Sequence, residues 1–178
     1  MGLADIESIE QLKKSLNLGP GYGGYNELIK AIKIPHSEWE KNYLWKDENY
    51  TRNCISSCDG YELILMCWKE RQASPIHSYD FQEGWIKVLE GELTIETYEV
   101  DQETKDYRLQ EAMHIVEGES TYLNDNMGYH RVLNSKKGNT TSLHLHIEKV
   151  KQWTVLDEEK HEFKTITPQI DSKSADCE

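Results

Sequence analysis

From Tyr50 onward the chain runs in short apolar stretches set apart by turn residues: YELILMCW, GWIKVLEG, ELTIETYEV, HIVEGES and TTSLHLHI. Stretches of this length, rich in β-branched and aromatic residues and bounded by glycine and polar clusters, read as strands. With no helical stretch between them, the pattern points to an antiparallel β-barrel or jelly roll. The first part of the chain carries a different period. Ile6, Ile9, Leu12 and Leu16 recur at helix spacing, as do Leu28, Ile29, Ile32 and Ile34 in part. Pro20-Gly21 and Gly23-Gly24 separate these two helices, and a third short helix is expected over Ser37 to Leu44. The expected class is therefore mainly β, with a helical N-terminal part over about 4–48, a barrel over about 50–163 and a polar, loose tail over 164–178.

A length of 178 residues suits one domain with a sizeable core. The formal net charge of −12 argues against a nucleic-acid partner, whose phosphates call for a basic surface. The N-terminus MGLADIESIEQLKKSLNL lacks the apolar core of a signal peptide, and no run approaches the ~20 apolar residues needed to cross a bilayer. The expectation is a cytoplasmic protein without a membrane partner. Its four cysteines, Cys54, Cys58, Cys67 and Cys177, fit neither a disulfide scaffold nor a C-x2-C zinc pair; Cys54 and Cys58 read as two reduced thiols, with a pair or a metal site as the alternative.

Polar groups on one face of a strand carry the chemical signal. Successive side chains alternate faces, so Ser142, His144 and His146 share one face while Leu143 and Leu145 take the other. His77 and Tyr79 likewise share a face. Two imidazoles and a hydroxyl pointing into a small barrel call for something bound there. A solvent-facing strand would show the same alternation.

The surrounding motifs weigh toward a bound group. YLNDNMGYHRVLN contains His130-x-x-x-Asn134 after a glycine turn, which resembles the second cupin motif, and Gly91 in VLEGELT matches the glycine that closes the first. The two halves stand about fifty residues apart in the expected order. Five stretches in order, YTRN, LILMCW, SPIHSY, LNDNMGYHRVLN and SLHLH, resemble the cysteine dioxygenase family, and the likeness runs from about Leu12 to beyond Ile147. That resemblance implies a cupin with mononuclear ferrous iron, cysteine and O2 as substrates, cysteine sulfinate as product and a monomeric state.

Residue by residue, the resemblance makes His77 and His130 iron ligands, Arg52 the partner of the substrate carboxylate with Tyr50 beside it, and Ser142 and His144 a relay toward an active-site phenol. A guanidinium fork is the natural complement of a carboxylate. Two positions depart together. The family's second ligand histidine is Tyr79 here, and its active-site tyrosine is His146. The cysteine that cross-links to that tyrosine in animal members falls on Gly84, so no such cross-link can form.

The exchange admits several readings. His146 supplies the third nitrogen while Tyr79 offers its hydroxyl to the substrate; or Tyr79 ligates as a phenolate; or the metal is held by two histidines or lost. Glu83 is a further candidate ligand, but on a regular strand it faces away from the pocket. The paired exchange, with Arg52, Tyr50, His130, Ser142 and His144 all retained, favours a working metal site. The expected activity is cysteine oxidation. The alternatives are a dioxygenase for another carboxylate-bearing thiol and a non-catalytic cupin that binds one.

The remaining groups take plainer roles. His36, His114 and His161 read as surface histidines, Trp68, Trp85 and Trp153 as core or pocket wall, and Tyr129 as packing. Asp157 to Glu162 reads as a solvated face and DQETKD as a hairpin turn.

Overall fold

Of the periodic apolar residues of the N-terminal part, Ile9, Leu12, Leu16, Leu28 and Ile29 are buried on α1 (Ile9–Leu18) and α2 (Gly24–Ala31), whereas Ile6 and Ile32 lie outside the helices and pair as a parallel bridge, and Ile34 follows α2. In this computed structural model, which describes residues 4–21, 23–78, 83–124 and 128–177, Ser8 caps α1 by accepting from the Gln11 backbone N–H at 3.1 Å. The third helix is shorter than expected. α3 (His36–Trp39) gives way to a single 3-10 turn (Glu40–Asn42), and the chain is extended by Tyr43.

The barrel follows as β1 (Thr51–Cys58), β2 (Tyr61–Trp68), β3 (His77–Ser78), β4 (Glu83–Glu90), β5 (Glu92–Val100), β6 (Tyr107–Val116), β7 (Ser120–Asn124), β8 (Tyr129–Leu133), β9 (Thr140–Ile147), β10 (Trp153–Asp157), β11 (Glu162–Ile166) and β12 (Ser172–Lys173). Among the described residues these form two six-stranded sheets, ordered β12-β1-β2-β9-β4-β7 and β11-β10-β3-β8-β5-β6. The pairings are antiparallel except for β1 with β12. This is the double-stranded arrangement of a cupin.

The first sheet is covered on both sides. Leu63, Leu65, Leu143, Leu145 and Trp85 pack outward against α1 and α2, while Ile64, Met66, Trp68, Ile86 and Val88 pack inward against Ile95, Val132, Trp153 and Val155 of the second sheet. That double burial is why YELILMCW is nearly continuous in apolar residues rather than alternating. Burying a leucine or isoleucine side chain contributes about 1.5–3 kcal/mol, so both layers weigh heavily in stability.

Two turns need glycine for different reasons. Gly91 joins β4 to β5 at φ +80°, and a Cβ there would stand 2.5 Å from Thr140 Oγ1 and 3.0 Å from the Asn139 carbonyl. Gly118 has a similar φ of +85° but faces open space, so only its backbone conformation requires it. Asn134, the last residue of the second motif, is fully buried and donates to the Gly138 carbonyl at 2.9 Å, so it shapes the turn into β9. DQETKD forms the β5–β6 turn, where Asp101 Oδ1 accepts from the backbone of Glu103 and Thr104.

Two expectations are corrected. The tail is not loose: β12 adds to the edge of β1, Asp171 and Arg52 exchange backbone-to-carbonyl and backbone-to-carboxylate bonds at 2.8 Å, and Ser172 donates to Asn53 Oδ1 at 2.7 Å. Part of its polarity serves an open strand edge, while Lys173 and Asp176 remain exposed. Nor is Cys54 a reduced thiol, because it forms a disulfide with Cys177 across 123 residues, while Cys58 and Cys67 are free. No spacing rule brings together residues so far apart in sequence.

Candidate active site

The two short strands β3 and β8 lie side by side so that His77 and His130 are directly opposed, with ring centroids 4.4 Å apart. Both side chains point between the sheets and are almost fully buried. His77 donates from Nδ1 to the Pro75 carbonyl at 2.8 Å, since a carbonyl can only accept. Its Nε2 therefore carries the lone pair. Burial, reinforced by the charges of Arg52 and Arg131 against the opposing Pro75 bond, holds its pKa down to about 4. Burial and the neighbouring His77 push His130 well below the usual histidine range, with a bond to the Gly128 backbone acting the other way.

The opposite wall comes from β9. Ser142, His144 and His146 do point inward, while Leu143 and Leu145 pack under the helices. The polar face of TTSLHLHI is thus a barrel interior and not a solvated surface. Burial, then the charge of Arg52, takes His146 down to about 3, and burial with its neighbour His146 takes His144 well below normal. All four histidines are neutral at physiological pH. Gly84 is the cross-strand partner of His146, and a Cβ there would sit 3.1 Å from His146 Nδ1. Glycine at this position therefore gives the imidazole its room.

A buried hydrogen-bonded chain fixes the state of His144. Trp68 Nε1 donates to Ser142 Oγ at 2.9 Å, and Ser142 Oγ lies 2.9 Å from His144 Nε2. Indole is donor only and a hydroxyl has one proton. His144 Nε2 is the one acceptor that the Ser142 proton meets among the described residues, so Ser142 donates to Nε2 and the neutral ring carries its proton on Nδ1. Trp68, expected as core or pocket wall, also heads this relay.

Arg52 projects from β1 into the same interior and is 4% exposed. Its guanidinium lies over the Trp153 ring, 4.9 Å from the centroid, and Nη2 is 3.5 Å from Glu62 Oε2. Tyr50 stacks on Trp68 with centroids 4.5 Å apart, and burial raises its pKa to about 12, so it stays a neutral phenol beside Arg52. Tyr50, Arg52, His77, His144, His146 and Trp153 wall a cavity of about 10 Å³, room for about one water molecule. Tyr50, Arg52 and Trp153 also line an open pocket of about 510 Å³ that leads out past Pro168 and Asp171 of the tail.

Other expectations find their places. Tyr79 lies outside the described residues. Glu83 is exposed and accepts from the Tyr122 hydroxyl at 2.5 Å, so it faces away from the cavity. Tyr129 stacks flat on Phe163, and His36, His114 and His161 are at the surface. Glu62 was missed. Its signal was one carboxylate in the otherwise apolar run YELILMCW.

A metal suits these residues in kind. Neutral imidazoles are ligands for borderline divalent ions, and a ring whose other nitrogen is tied to a carbonyl is oriented for ligation. Among the described residues, however, no group of three His, Cys, Asp or Glu side chains is drawn tightly enough together to form a finished ligand set.

Residues 24–159 match the family model described as cysteine dioxygenase type I. The chain is similar to cysteine dioxygenase type 1 of Danio rerio, 27% identical over 147 residues, covering 78% of this chain and 71% of that protein. It is 28% identical over 122 residues to the Rattus norvegicus protein and 27% over 122 residues to that of Homo sapiens, each time covering 67% of this chain and 61% of the relative. A solved Klebsiella pneumoniae protein with a double-stranded β-helix domain superposes with a TM-score of 0.53 at 10% identity, over 65% of this chain and 86% of that one, a likeness of fold.

Proposed function

Because this chain belongs to the cysteine dioxygenase type I family, we propose that it is an iron-dependent thiol dioxygenase that converts cysteine to cysteine sulfinate. Thiol plus O2 gives sulfinate plus one proton, so both oxygen atoms end on sulfur and no outside reductant is needed. The observation that carries the reading is the meeting of neutral, buried imidazoles with a buried guanidinium on one cavity.

His77 and His130 would hold ferrous iron, with His146 or Tyr79 completing the set. The iron, when bound, supplies the redox centre at which dioxygen reacts with the thiol sulfur. Arg52 binds the substrate carboxylate, an interaction strengthened where water is excluded, and Trp153 holds the guanidinium plane in place. Tyr50, protonated throughout the physiological range, serves as a hydrogen-bond donor beside it. Ser142 keeps His144 in one tautomer, so that His144 presents an Nδ1–H rather than a lone pair.

The same reading takes the protein as a cytoplasmic monomer without nucleic-acid or membrane partners. Its charge of −12 weighs against a nucleic-acid partner, and among the described residues no helix is long and apolar enough to cross a membrane. The Cys54–Cys177 disulfide weighs against a strongly reducing compartment.

The test is iron content and sulfinate formation after reconstitution with ferrous iron, comparing the parent with His146→Ala. Stoichiometric iron and sulfinate in the parent, both lost in the variant, support His146 as third ligand. Iron retained by the variant points to Tyr79 or a two-histidine site. No iron and no sulfinate in the parent defeats the dioxygenase reading and leaves a binding module.

A further inference from the structure

Arg52, the group that meets the substrate carboxylate, already has an internal counter-ion. Glu62 stands on β2 directly across from His146 on β9, on the inward face shared with Ile64, Met66 and Trp68. It is 3% exposed, its Oε2 is 3.5 Å from Arg52 Nη2, and that oxygen accepts no hydrogen bond from any described residue. The Val150 backbone holds the carboxylate, and Lys149 and Lys173 contribute weaker fields. Burial raises the Glu62 pKa, and the neighbouring Arg52 limits the rise. A carboxylate buried without a cation would not stay charged, so the pair belongs together.

We propose that Glu62 is a specificity-determining residue: with Arg52 it forms a charge-balanced pair that selects a thiol carrying both an ammonium and a carboxylate over a thiol acid that lacks the amine. The inference rests on the dioxygenase reading for its substrate class. Arg52 Nη2 and Glu62 Oε2 stand 3.5 Å apart with both side chains almost wholly buried, so the two supply opposed charges to one interior. A zwitterion leaves that balance at zero, with its carboxylate on the guanidinium; Glu62 stands behind Arg52 rather than on the cavity wall and acts on the ammonium through its charge. An acid without the amine brings a second anion to a guanidinium that already faces one, in a site with too little water to screen them. An aminothiol without the acid lacks the group that fits the guanidinium fork and adds a cation beside Arg52.

Binding of three probes decides the matter. The full chain is titrated with cysteine, 3-mercaptopropionate and 2-aminoethanethiol, first loaded with ferrous iron under anaerobic conditions and then without iron, so that no amine–metal bond can create the preference. The parent is expected to bind cysteine roughly 10- to 100-fold more tightly than either one-charge probe in both states, the size of one charge-assisted bond. Glu62→Gln is expected to lose the preference over 3-mercaptopropionate and keep that over 2-aminoethanethiol. Equal affinity of the parent for cysteine and 3-mercaptopropionate overturns the proposal, and so does an undiminished preference in Glu62→Gln. The metal-free comparison in the parent needs no variant and stands even if Glu62→Gln fails to fold. Sulfinate is measured separately. Ligand preference without sulfinate defeats the dioxygenase reading alone, whereas equal binding and turnover of cysteine and 3-mercaptopropionate defeats the role of Glu62 alone.

Discussion

Replacing Ser142 by alanine removes one hydroxyl and strands two partners. Ser142 is fully buried, and its oxygen lies 2.9 Å both from the Trp68 donor and from the His144 acceptor. Each buried polar group left unsatisfied costs about 1–3 kcal/mol, so the change should destabilise the fold by about 2–6 kcal/mol. In a chain of this size that corresponds to a fall in Tm of roughly 4–24 °C. Trp68→Phe is the control for direction. It removes only the donor, and Ser142 can still donate to His144, so the hydrogen-bond loss should be about 0.5–1.5 kcal/mol, with the packing loss of the smaller ring added. Urea unfolding gives the energies. The ¹⁵N shifts of His144 report the tautomer, with the proton on Nδ1 in the parent and exchange between tautomers in Ser142→Ala. A loss below about 1 kcal/mol in Ser142→Ala, or a parent His144 protonated on Nε2, would refute the relay from Trp68 through Ser142 to His144.

Three further outcomes follow from the geometry. His77 falls from about 6.5 in the unfolded chain to about 4 in the fold, so stability should be full above pH 6.5 and decline as the pH drops toward 4. That histidine alone accounts for about 3 kcal/mol, and acid-dependent urea midpoints that stay flat between pH 6.5 and 4 would contradict its burial as a neutral ring. Cys54→Ser should free the β12 segment, read as faster hydrogen exchange over residues 171–177, with a stability loss of at most about 5 kcal/mol by the loop-entropy account; unchanged exchange there would mean that the strand pairing alone holds the tail. Gly91→Ala should cost about 2–5 kcal/mol, combining left-handed backbone strain with the clash against Thr140, whereas Gly118→Ala, with nothing within 4 Å, should cost only the backbone part, about 1–2 kcal/mol, and equal melting curves for the two would contradict this.

Much of this protein is legible in its residues because the relevant rules are local. Period 3.6 marks α1 and α2, and short stretches between turns mark the strands. Period 2 assigns Ser142, His144 and His146 to one face, and glycine at position 91 marks a conformation other residues resist. These features depend on neighbours within a few positions, and backbone geometry converts them directly into structure. The sequence could not say whether that polar face met solvent or the barrel interior, because alternation is the same in both cases. Packing of Leu143 and Leu145 under the helices decided it.

Tertiary structure alone decided the rest. Glu62 becomes the counter-ion of Arg52 because adjacent strands carry two long side chains into one interior. Cys54 meets Cys177, and the polar tail finds the edge of β1, only when the chain closes on itself across more than a hundred residues. Trp68 becomes a donor to Ser142 through the β2–β9 register. Each of these contacts joins groups whose separation along the chain carries no periodic signal. The distance between them in space is set by how the two sheets pack, and that packing is a property of the whole sequence at once.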